Sequence, residues 1–143
     1  MPTPPDNFVK IRLPEPDGEI ETTWAEPVGD HFRIWNLPWF VYGVGFRDIV
    51  EARPTERSGF FDFVRVVEPS GNRLIRVLFE DGNFRSLIDQ VETMGCKCEG
   101  ATEQLFAISV PPAVSLREVA RLLMRSELTW ELANPTYEDL FLI

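Results

Sequence analysis

The chain has only two cysteines and one histidine among its 143 residues, and that scarcity removes whole classes of chemistry. Cys96 and Cys98 stand one residue apart, on the same face of an expected strand, so they cannot frame a small domain with disulfides and read instead as reduced thiols. Together with His31 they make at most three soft ligands, with no second pair to complete a zinc site. His31 has no nucleophile elbow to serve, and Gly43-x-Gly45 lacks the third glycine and the following helix of a dinucleotide fingerprint. No metal, no cofactor and no catalytic residue is therefore expected. The expected protein is not an enzyme.

Basic charge is also in short supply. Fourteen Lys and Arg face twenty-three Asp and Glu, for a net charge of −9 without any basic stripe. Such a surface repels phosphate backbones and argues against nucleic-acid binding. Neither an apolar run of about eighteen residues nor a basic-then-apolar leader occurs, so no membrane partner is expected and the reading is cytoplasmic.

What the chain does have is proline and phenylalanine, twelve and eleven of them, which implies many short elements. Residues 1–7 carry three prolines and read as a flexible tail. In Phe8 to Leu13, Val9, Ile11 and Leu13 alternate with Lys10 and Arg12 as in a half-buried strand. Ile20 to Val28 and His31 to Asn36 form a hairpin across Gly29-Asp30, with Ile20, Thr22, Trp24 and Val28 sharing a face. Asp48 to Arg53 is a further strand, so residues 8–59 read as a small all-β lobe of barrel-like hairpins.

Phe60 to Glu68 and Arg73 to Phe79 flank Glu68-Pro69-Ser70-Gly71-Asn72, and the expectation is a central β-hairpin with Val64, Val66, Val77 and Leu78 buried. Beyond it, Asn83 is a candidate cap for a helix carrying Phe84, Leu87, Ile88, Val91 and Met94. Cys96 to Gly100 and Gln104 to Val110 follow as strands, then a second helix opened by the capping box Ser115-x-x-Glu118, then Leu128 to Ala133 as a last strand. The order from Arg73 is β, α, β, β, α, β, so residues 60–143 read as a ferredoxin-like split βαβ sheet with two helices on one face. The fold class is α+β, with both lobes in one compact unit.

Two stretches carry what functional signal there is. Between Asn36 and Phe46, Leu37, Trp39, Phe40, Tyr42 and Phe46 share a loop with Pro38, Gly43 and Gly45. These side chains either plug the open end of a barrel or present an aromatic patch, with Trp39, Phe40 and Tyr42 as partner anchors. Glu68 and Ser70, near Arg65 and Arg76, form either an internal ion pair or an outward contact at the turn. Glu80 and Asp81, where the second strand ends, complete the acidic candidates.

Several separate segments resemble one family. Trp24-Ala25-Glu26-Pro27-Val28-Gly29, Asn36-Leu37-Pro38-Trp39-Phe40 with Gly43, Asp48-Ile49-Val50, Arg65 through Gly71, Gly95-Cys96 and Leu105-Phe106-Ala107-Ile108-x-Val110-Pro111 are similar, in order, to the bacterial domain of unknown function 4265 family. The resemblance implies a cytosolic immunity protein, since some members look like proteins encoded beside secreted polymorphic toxins. The expected partner is a cognate toxin domain encoded nearby, whose basic, nucleotide- or nucleic-acid-directed active site the acidic chain would occlude. The alternative is a small-molecule-binding regulatory protein without catalytic activity.

Overall fold

The computed structural model describes residues 4–79 and 85–135. Its first unit is a closed barrel in which alternation sorts apolar side chains inward along β1 (Val9–Pro14), β2 (Ile20–Val28), β3 (His31–Ile34), β4 (Ile49–Pro54) and β5 (Phe60–Glu68). Ile11, Leu13, Ala25, Phe32, Ile34 and Val50 fill it, with Phe61, Phe63 and Val66 packed against them. Neighbouring strands run antiparallel except at the seam, where β1 and β5 are parallel and place Ile11 opposite Phe61. Register shifts at Ile49/Val50 and Glu51/Ala52 bend the β4–β5 ladder, as bulges do where a small barrel must close.

The second unit is a four-stranded antiparallel sheet built from β6 (Arg73–Leu78), β7 (Lys97–Gly100), β8 (Leu105–Val110) and β9 (Thr129–Asn134), in the order β7-β8-β6-β9. Helices α1 (Arg85–Thr93) and α2 (Leu116–Arg125) cover one face of it. Ser115 caps α2 by accepting the Glu118 amide at 3.2 Å. Ile75, Val77, Ile108, Val110, Val91, Val119 and Leu123 make the helix-side core. On the opposite face Leu74, Ala107 and Ala133 meet Leu37 of the barrel, with Trp39 and Phe46 against them. β6 is thus covered on both faces, as its continuous apolar sequence requires.

The expected Phe60–Phe79 hairpin does not form. β5 pairs with β1 and β4 in the barrel, whereas β6 lies between β8 and β9 in the other sheet. The turn is committed elsewhere: Ser70 Oγ and Asn72 Nδ2 both donate to the Phe46 carbonyl, at 2.7 and 3.0 Å. Consequently the barrel takes in Phe60–Glu68, and the passage between units falls at 69–72 rather than at residue 59. Val64 and Val66 are half-buried and Leu78 is exposed, while Val77 is buried as expected.

In β2, Ile20, Thr22 and Trp24 share a face as expected, and it is the outer one. Glu21, Thr23 and Ala25 point in, and Ile20 and Thr22 point out. Apolar patterning misleads here because two polar side chains on the strand serve a neighbouring loop. Asn83 and Phe84, proposed to start the first helix, lie outside the described residues, as do the tail residues 1–3.

Candidate functional site

The loop from Asn36 to Phe46 joins β3 to β4 and runs between barrel and sheet, so its backbone polar groups need partners away from any ladder. Carboxylates supply many of them. Glu21, reaching in from β2, accepts the amides of Trp39, Phe40 and Val41 at 2.7, 3.0 and 3.3 Å. Glu99 on β7 accepts the Leu37 amide at 3.3 Å, and Asp48 accepts those of Gly45 and Ser70 at 2.7 and 2.9 Å. The Gly43 amide reaches the Ala133 carbonyl of β9 at 3.0 Å. At Gly45 a Cβ would stand 2.5 Å from Asn134 Nδ2 and 3.1 Å from the Asn72 carbonyl, so a larger residue would have to displace the Asn134 amide where loop and sheet approach.

Burial pushes the Asp48 carboxyl above the usual range against the pull of the Ser70 and Gly45 donors. It does the same to Glu99, opposed by the Leu37 amide and Lys97.

Arg76 is the pivot on the sheet side. Its place in the middle of β6 buries it to 4% exposure, beneath the loop. Its guanidinium donates to the Val41 carbonyl, lies 3.6 Å from Glu131 and sits 5.0 Å from the centre of the Tyr42 ring. Tyr42 in turn donates its hydroxyl to the Glu131 carboxylate, at 2.8 Å. That bond, followed by burial, raises the Tyr42 pKa. Burial lowers the Arg76 pKa, while Glu131 and Glu21 oppose it. Among the described residues, Arg76 Nε and Trp39 Nε1 are buried donors without an acceptor.

The candidate residues divide accordingly. Val41 and Val44, rather than the aromatic rings, plug the barrel, and Trp39 packs half-buried against the sheet. Phe40 and Tyr42 stand 45% and 43% exposed on the fixed loop, which leaves them as the aromatic patch. The Glu68 cluster is not assembled, because Arg65 pairs with Glu51 at 2.9 Å and Arg76 with Glu131 in the other sheet. Glu68 is exposed, and Ser70 is turned to Phe46 and Asn72. Glu80 and Asp81 lie outside the described residues.

The acidic side chain beside the patch is one the sequence reading passed over: Glu131, which accepts the Tyr42 hydroxyl. The β1–β2 turn adds Glu15, Asp17 and Glu19 to the acidic surface of the barrel. Desolvation, then Asp17, Glu21 and Glu19, raise the Glu15 pKa. One signal was available in the sequence: a lone arginine inside Leu74-Ile75-Arg76-Val77-Leu78 demands a buried partner.

The thiols belong to the helix-side core. Cys96 is buried just before β7, and Cys98 packs half-buried on that strand. Burial, then Glu92 and Cys96, push the Cys98 thiol up to about 12, which makes it a poor nucleophile. Among the described residues no group of three or more His, Cys, Asp or Glu is placed to hold a metal ion, and no helix is long and apolar enough to cross a membrane.

The sequence profile described as Domain of unknown function (DUF4265) matches residues 21–132. The fold is similar to that of a hypothetical protein from Neisseria gonorrhoeae, with a TM-score of 0.74 at 20% identity over 89% of this chain and 93% of that one. No curated protein matches the sequence significantly.

Proposed function

The chain belongs to the family of domain of unknown function 4265, and from that premise and its surface we propose that it is a cytosolic immunity protein that binds a cognate toxin domain and occludes its active site. The observation that carries the reading is the loop of Phe40 and Tyr42, two exposed aromatic side chains held on a fixed backbone, with the Glu131 carboxylate at the Tyr42 hydroxyl. Exposed rings on rigid backbone lose little entropy on docking and suit the anchor role. Glu131 adds a carboxylate beside them, on a chain of net charge −9. A basic cleft, of the kind that handles nucleotides or nucleic acid, is the complementary surface, and long-range attraction would speed encounter.

We read the second sheet as a ferredoxin-like split βαβ unit, a reading supported by the β7-β8-β6-β9 order and its antiparallel pairs. No catalytic set enters the proposal, and no nucleic acid or membrane is a partner in it.

The test is co-expression with the product of the adjacent gene. Wild type should protect cells and form a 1:1 complex. Phe40→Ala and Tyr42→Ala should mainly accelerate dissociation, and Glu131→Lys should slow association and weaken its salt dependence. Absence of protection by the wild type overturns the immunity reading. Full affinity in all three variants overturns the surface.

A further inference from the structure

We propose that the groove between α1 and α2 binds a small phosphate-bearing molecule with an apolar portion, at a site separate from the aromatic loop and independent of the immunity reading. α1 leaves β6 at the end of the sheet where α2 finishes before β9, and it ends toward the segment from which α2 starts, so the helices run antiparallel. Their facing stripes line an open groove of about 910 Å³, within the range of small-molecule sites.

The direction of the helices sorts the lining. Arg85 begins α1 and Arg125 ends α2, with Arg121 one turn before it, so the three arginines fall toward the same end of the groove. Met94 and Leu122, half-buried against the helix-side core, give the groove an apolar floor, and Glu118 stands toward the opposite end.

Basic side chains outnumber acidic ones in this groove. Arg85, Arg121 and Arg125 share its lining with Asp89 and Glu118, yet among the described residues none of the three arginines is within 4.0 Å of a carboxylate. The lining thus carries a small positive excess in a chain whose net charge is −9. Phosphate oxygens match the guanidinium fork bidentately, and the apolar floor suits a ring or chain attached to the phosphate. The polar α1 side chains nearby are already engaged on their own helix: Gln90 donates to the Ser86 carbonyl at 3.2 Å and Thr93 to that of Asp89 at 2.8 Å. The arginines are thus the groups left to take up the ligand.

The test is an NMR titration of the full chain with pyrophosphate, with adenosine 5′-monophosphate and with inorganic phosphate as separate probes. Pyrophosphate should give saturable shifts at Arg85, Arg121 and Arg125, and the monophosphate should bind at least about tenfold tighter than inorganic phosphate because its ring covers Met94 and Leu122. Arg121→Gln with Arg125→Gln should weaken both by about tenfold or more while leaving the melting temperature unchanged, both residues being exposed. Arg121→Lys should restore part of the pyrophosphate affinity. No saturable shift, or shifts that persist in the double variant, overturns the site. Equal affinity for the monophosphate and inorganic phosphate overturns the apolar part. Tighter binding of a single-stranded oligonucleotide through the same arginines replaces the small molecule with nucleic acid and overturns the proposal as stated.

Discussion

Glu21→Ala should be among the most damaging substitutions of a charged residue in this protein. Glu21 is 9% exposed and accepts three consecutive loop amides at 2.7 to 3.3 Å. Alanine leaves those donors without their acceptor, and each stranded buried donor costs about 1 to 3 kcal/mol. Phe40 is exposed, so its amide can regain water on a small shift of the loop. The carboxylate's own desolvation cost also disappears with it. Taking the low end for each amide gives a net loss of about 3 kcal/mol. Glu21→Gln keeps one carbonyl oxygen and should lose about half as much.

Urea unfolding at neutral pH measures the global loss, and amide hydrogen exchange at residues 39–41 measures the local one. The two must move together, because Val41 also closes the barrel core and receives Arg76. A loss below about 1 kcal/mol, with unchanged protection at those amides, would refute the carboxylate's role as the anchor of the loop.

Other expectations follow from single contacts. Ile75→Ala, at a fully buried position of the central strand, should cost about 2 to 5 kcal/mol in urea unfolding, and a cost under about 1 kcal/mol would contradict its placement. Asp48 holds its proton more tightly folded than unfolded, so its contribution to stability falls as pH rises from its unfolded value through its folded one. Wild type should therefore lose stability relative to Asp48→Asn as pH rises through that window, and a difference that is flat with pH would refute the shift. Glu99 should show the same sign. With its pKa at about 12, Cys98 should resist iodoacetamide at neutral pH until the chain unfolds, and rapid modification of the native protein would contradict its burial. Replacing both Cys96 and Cys98 by Ala should cost about 1 to 3 kcal/mol by thermal unfolding.

Local pattern carried much of the fold. The alternation of Val9, Ile11 and Leu13, the box Ser115-x-x-Glu118 and the helical spacing of Leu87 and Val91 all describe elements that form as read. What failed was pairing. A turn with Pro69 and Gly71 serves a hairpin or a passage between two sheets equally well, and the deciding contacts, Ser70 and Asn72 to Phe46, come from a loop more than twenty residues away. Which face of β2 points inward was not legible for a related reason. Patterning places apolar residues inward, but the demand of three loop amides outweighed it at Glu21. At the candidate site the aromatic loop was legible as a cluster of ring residues, whereas the exposure of Phe40 and Tyr42 and the burial of Trp39 depend on where the sheet lies beneath them.

Those two failures share a physical origin, and it bears on how the site works. The loop that carries Phe40 and Tyr42 belongs to neither unit alone: Glu21 holds it from the barrel, Glu99, Arg76 and Glu131 from the sheet, and Asp48 ties its end to the turn at Ser70. Any hinge between barrel and sheet would have to break charged hydrogen bonds in low-dielectric surroundings, where they are strongest and where unpaired groups are most costly. The two units are coupled through the very backbone that displays the exposed rings. Under the proposed function, a partner docking on those rings would meet a surface whose order is already established by folding, and the binding free energy would not be spent on ordering the loop. On this argument the buried carboxylates of Glu21, Asp48 and Glu99 and the aromatic side chains of Phe40 and Tyr42 form one device, with its polar half inside and its apolar half in solvent.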